Sequence, residues 1–129
     1  MIAYRINPNL SNETLNHLFS ATWVGHSPSD FSSVLAHSLA YIGAFTADDQ
    51  LIGFVNLAWD GGVHAFLLDP TVDPAWQRRC IGKELVMRAI EEVRLRGCAW
   101  LHVDFEAHLE PFYAQCGFTS THAGLVRLK

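Results

Sequence analysis

The segment from Val63 to Phe105 restricts the fold more than any other part of the chain. Val63 to Leu68 is almost continuously apolar, the character of a strand covered on both faces. Ile81, Leu85, Val86, Ala89, Ile90 and Val93 then recur at helical spacing. Glu84 with Arg88 and Glu92 with Arg96 form favourable pairs on the wet side, and Gly97 is a natural C-terminal stop. From Ala99 to Phe105, Leu101, Val103 and Phe105 alternate with His102 and Asp104, as in a strand. Strand, helix and strand joined by tight links make a parallel crossover unit.

The remaining segments fit around that unit. Ile2 to Ile6 reads as a short strand, and Ser11 as the N-cap of a helix running to about Trp23. Ser27-Pro28-Ser29-Asp30 predicts the start of a second helix, with Ser27 as cap and an apolar stripe at Phe31, Val34, Leu35 and Leu39. Tyr41 to Thr46 and Leu51 to Trp59 flank a polar turn and predict an antiparallel hairpin. A short helix is expected from about Leu109 to Cys116, and a last strand from Gly124 to Leu128. The expectation is an α/β (α+β mixed) fold: one domain over residues 1–129, with a central mixed sheet and helices on both faces. Half the residues are apolar, with four Trp and eight Phe, enough for a core without disulfides or metals.

Charge and cysteine usage narrow the class further. A net charge of −4 argues against a nucleic-acid partner. No stretch approaches the roughly 20 apolar residues of a membrane span, and the N-terminus lacks a signal-peptide pattern. Cys80, Cys98 and Cys116 form an odd set without a paired motif, which reads as reduced thiols in a cytoplasmic protein. The histidines show no metal-ligand spacing, so no metal is expected.

Gln77-Arg78-Arg79-Cys80-Ile81-Gly82-Lys83 opens the amphipathic helix. Helix N-termini carry partial positive charge, so each cation there costs about 0.3–1 kcal/mol unless an anion is near. A phosphate would reverse that sign and use the free amides. The alternative is a set of solvated surface cations.

The wider stretch resembles the GNAT superfamily of N-acetyltransferases. Phe66-Leu67-Leu68 leads to Thr71-Val72-Asp73-Pro74, then to Gln77-Arg78-Arg79-Cys80-Ile81-Gly82, and on through Leu101-His102-Val103 to Pro111-Phe112-Tyr113-Ala114-Gln115-Cys116-Gly117-Phe118. The resemblance implies acetyl-CoA as cosubstrate. The backbone of Thr71 and Val72 would bond the acyl group and pantetheine arm. Gln77 opens the signature, and the amides around Arg78, Arg79, Cys80, Ile81, Gly82 and Lys83 would hold the pyrophosphate. Asp69-Pro70 lies where the family often bulges this strand, and a proline there independently favours a bulge. Cys80 replaces the first signature glycine. A positive φ at Cys80 would cost roughly 1–2 kcal/mol, whereas a negative φ would accommodate Cys, and the tolerated arrangement is the expectation.

By the same resemblance, Tyr113 is the general acid for the coenzyme thiolate; its other reading is an aromatic core residue beside Phe112 and Phe118. Asp69, Asp104, Glu106 and His108 cluster at the strand ends where α/β sheets place ligands. Asp69 and Glu106 are catalytic candidates, and Asp104 and His108 acceptor-binding ones. Glu106 stands where the family frequently has Asn. Trp23 and Trp59 are expected to stack on the acceptor, or else to serve the core or a dimer contact; His64 is a further candidate to face it. The expected reaction is acetyl transfer from acetyl-CoA to a primary amine, on a small molecule or a protein, by direct attack on the thioester. The alternative is a non-catalytic acyl-CoA-binding module of the same fold. A homodimer is allowed, without a nameable patch. A nucleotide-binding crossover of Rossmann type lacks its glycine-rich turn here.

Overall fold

The computed structural model describes all 129 residues. Five strands form one sheet in the order β1-β2-β3-β4-β5: β1 (Ala3–Ile6), β2 (Ala40–Phe45), β3 (Leu51–Trp59), β4 (His64–Val72) and β5 (Trp100–His102). Neighbours are antiparallel up to β4, and β4 pairs with β5 in parallel. The helices are α1 (Asn12–Thr22), α2 (Ser32–Ala36), α3 (Ile81–Leu95) and α4 (Glu110–Gln115).

The apolar stripe of α3, from Ile81 to Val93, packs on one face of the sheet with Ile42, Ala44, Val55, Leu57, Ala65 and Leu67. Gly53 permits the close approach: a Cβ there would sit 3.0 Å from Leu85 Cδ1 and 3.2 Å from the Cβ of Ala44. On the other face, Leu15, Leu18 and Phe19 of α1 bury Phe45, Leu51 and Phe54. Ser11 caps α1 by accepting from the Thr14 amide at 3.1 Å.

Three expectations need correction. The second helix begins at Ser32, not near Ser27. The Asp30 carboxylate accepts from both the amide and the hydroxyl of Ser32, which fixes the turn there. Residues 26–31 are instead an extended loop fastened to α1: Asn16 accepts from the Ser29 amide and donates to the Ser29 carbonyl, and Asn12 accepts from the Phe31 amide. The fifth strand stops at His102 and does not reach Phe105. The tail from Gly124 to Leu128 forms no strand. It pairs with neither edge of the sheet, and a lone strand is not stable in water.

Candidate active site

β4 pairs with β5 only through His64–Trp100, Ala65–Leu101 and Phe66–His102. Beyond that point β4 continues to Val72, still paired to β3, while the β5 chain leaves the sheet. The two parallel strands therefore splay, and a gap opens beside the second half of β4. The bulge expected at Asp69-Pro70 lies within it. Thr71 pairs with Phe54 and Leu68 with Asn56, so Asp69 and Pro70 together stand opposite Val55 alone. Asp69 takes a left-handed φ of 55°, and the Thr71 hydroxyl donates to its carbonyl at 2.9 Å.

The register decides which backbone groups face the gap. Asp73 N–H donates to Ile52 C=O across the Gly53–Val72 pair. That is the non-hydrogen-bonded arrangement, so Val72 turns its own N–H and C=O away from β3 and toward the gap. Thr71 is turned toward β3, so the expectation that its backbone also serves the coenzyme is not met by this geometry. The Val72 carbonyl accepts from the Gln77 side-chain amide at 3.0 Å, which ties the strand end to the cationic loop.

That loop is strained. Arg78 and Cys80 both adopt left-handed φ values, 63° and 62°. The position of Cys80 therefore does require positive φ, contrary to the milder expectation, and its Cβ costs about 1–2 kcal/mol. Cys80 occupies the N-cap position of α3 without a side-chain cap bond, leaving the first-turn amides of Ile81, Gly82 and Lys83 without intrahelical partners. A Cβ on Gly82 would make only ordinary contacts, 3.6 Å to Val72 and 3.8 Å to Phe112. Packing within the chain does not demand glycine there; close approach of a ligand to the helix end would. Arg88, Arg94 and Arg96 on the same helix all pair with glutamates. Arg78, Arg79 and Lys83 pair with no carboxylate; Arg79 instead lies over the Trp76 ring at 4.9 Å. Between Arg78 and Arg96, the cations at the helix start are thus the ones without counter-charge.

Tyr113 lies on α4 and belongs to the core cluster between α3 and the sheet. Its ring is buried, stacked on Phe105 at 4.6 Å with Phe112 and Phe118 edge-on. The aromatic-core reading and a reactive hydroxyl are compatible. The phenol makes no hydrogen bond within the chain, yet no buried polar atom lacks a partner, so the hydroxyl reaches the surface. Burial pushes its pKa up, helped by nearby Cys116 and Asp104. At Asp69 the residue as a whole is exposed, but the carboxyl group is partly shut off from water, which raises its pKa.

Glu106 and His108 are exposed and face each other at 3.5 Å. Trp23 stacks on Phe19 at 4.2 Å beside the loop over the sheet. Trp59 lies opposite Ala65, at the far end of β3 from Gly53 and Val72, and the structure does not bring it to the gap. Conversely, His64, Phe66 and His102 emerge as a ring cluster, with Trp100 beside His64 in the register, that residue spacing gave no reason to join.

The profile of the acetyltransferase (GNAT) family matches residues 12–118. The chain is a member of the GNAT acetyltransferase family. A chloroplastic GCN5-related N-acetyltransferase of Arabidopsis thaliana is 27% identical over 125 residues, covering 94% of this chain and 62% of that relative. A GNAT family acetyltransferase from Streptococcus pneumoniae superposes over all of both chains with a TM-score of 0.81 and 25% identity. AAC(6')-Iy, solved with the bisubstrate analogue CoA-S-monomethyl-acetylneamine, shares the fold with a TM-score of 0.75 and 21% identity, over 100% of this chain and 98% of its own. No helix is long and apolar enough to cross a membrane.

Proposed function

We propose that this GNAT domain transfers the acetyl group of acetyl-CoA to a primary amine by direct attack on the thioester. The observation that carries the reading is the ladder gap beyond Phe66 and His102, with the Val72 N–H and C=O turned into it. An extended pantetheine arm can bond there as a strand would. It would lead to the α3 N-terminus, where free amides and the unpaired Arg78, Arg79 and Lys83 suit a pyrophosphate. The bisubstrate analogue of AAC(6')-Iy joins coenzyme and acceptor in one ligand, which supports a continuous site here too.

The acetyl group would lie near the bulge, beside Asp69. A neutral amine attacks the thioester carbonyl, and unpaired β4 amides stabilise the oxyanion. The C–S bond breaks, and Tyr113 donates its proton to the departing thiolate. Its raised pKa keeps that proton in place at neutral pH. Asp69 is our candidate to accept the amine proton. It must be ionised to do so, hence the rate falls as pH drops through its raised pKa. Glu106 and His108, exposed and paired with each other, are set aside as bases.

The test is thermal stabilisation by acetyl-CoA together with coenzyme release over an amine panel. Stabilisation by several degrees and release with at least one amine are expected. Stabilisation with no release would favour the acyl-CoA-binding module, and neither would overturn both readings.

A further inference from the structure

Two stretches of the chain carry a strand pattern and have no strand partner. The first continues β5. Exposure alternates from Val103 to Glu106: Val103 and Phe105 are half-buried against the core that α3 shares with the sheet, and Asp104 and Glu106 are exposed. No hydrogen bond between main-chain groups holds Val103, Asp104 or Phe105. The second stretch is the tail. Val126-Arg127-Leu128-Lys129 alternates apolar side chains with cations. Val126 is 83% exposed and Leu128 87%. Beyond Phe118, again, no hydrogen bond joins main-chain groups.

The outer edge of β5 is open. β5 is the last strand of the sheet. Trp100 N–H donates to Val63 C=O at 3.0 Å, and Trp100 is in register with His64. In a parallel ladder that residue turns both main-chain groups toward its neighbour, so Leu101 turns both of its own outward. An open edge of this kind is a template for another strand.

The two stretches match in apolar pattern and in charge. An antiparallel register that sets Val126 opposite Phe105 and Leu128 opposite Val103 places all four apolar side chains on the α3 side. The same register sets Arg127 opposite Asp104, with Glu106 diagonal to Arg127 and Lys129 diagonal to Asp104. A slip of one residue would turn Arg127 onto the core side. Asp104 pairs with no cation, and Glu106 only with His108. Arg127 meets only the Lys129 carbonyl, and no acidic residue stands between Thr119 and Lys129.

We propose that these stretches pair between two copies of the chain, the tail of each forming a strand on the outer edge of the other's β5. Within one copy the tail stays off its own edge. Reciprocal exchange about a two-fold axis fills both edges and uses both tails. It also steadies the candidate site, because Phe105, on which Tyr113 stacks at 4.6 Å, gains support on its outer side. The pairing does not depend on acetyl transfer.

Sedimentation velocity of the full chain at about 50 µM should show a two-chain species. Arg127→Asp and Asp104→Arg each set like charges across both exchanged strands, and each should raise the dimer Kd at least about 30-fold. Both side chains are exposed, so the fold should survive, as circular dichroism would show. Mixed in equal amounts, the two variants should form a dimer again, because each tail then meets the opposite charge on the other chain's edge. A wild-type chain that sediments as a single copy would overturn the proposal. A dimer that neither variant weakens would place the contact elsewhere and overturn it too. Variants that remain single copies when mixed would overturn exchange between copies.

Discussion

The two ends of β4 work by different means. At the C-terminal end, from Asp69 to Val72, the bulge, the register and the left-handed residues after it arrange backbone groups, and the Asp69 carboxyl is the one side chain given a role there. At the N-terminal end, from His64 to Leu68, the backbone is an ordinary parallel pair and the side chains make the surface. A group held through backbone geometry tolerates exchange of the side chains around it, whereas a surface made of side chains changes with each exchange.

Substitutions can break that comparison. Tyr113→Phe should have the largest effect: kcat down at least about 100-fold, the range for a lost general acid, with KM for acetyl-CoA within about twofold. Full activity, measured by coenzyme release, would leave Tyr113 as a core aromatic alone. The double change Arg78→Ala with Arg79→Ala should raise KM for acetyl-CoA about 30-fold, as expected for two exposed charge-assisted contacts. The amine KM should stay put. An unchanged acetyl-CoA KM would return these arginines to the solvated surface. The smallest effect is expected at Cys80→Gly. Removing a left-handed Cβ should stabilise the fold by about 1 kcal/mol, raising Tm by about 3 °C. Acetyl-CoA affinity should shift less than about threefold; tightening of tenfold or more would show that the Cβ also obstructs the phosphate.

The same contrast explains what could be read from the sequence. The stripe of α3, the Ser11 cap and the proline-marked bulge obey local rules, and each stands where residue types placed it. The cationic helix start was legible because it breaks a rule about helix dipoles. The start of α2 was not legible. Ser27-Pro28 is a good local start signal, but Asp30 caps Ser32 while Asn12 and Asn16, far back in the chain, hold the loop extended. The cluster of His64, Phe66, Trp100 and His102 joins two strands across an intervening helix, and its register is fixed only when the sheet forms. The left-handed φ of Cys80 was weighed as one of two outcomes, because a residue type alone does not set its torsion.

The asparagine fastening of the loop between α1 and α2 bears on the time course of turnover. Asn12 and Asn16 sit on a helix whose other side is core, and they hold Ser29 and Phe31 through main-chain groups. His26 is tied in as well, through Asn16 at 2.8 Å. Many enzymes place a hinged lid over the reacting atoms, and its opening limits how fast product leaves. Here the segment between α1 and α2 is anchored to the same helix that packs on the core, which gives it the character of a fixed wall instead of a gate.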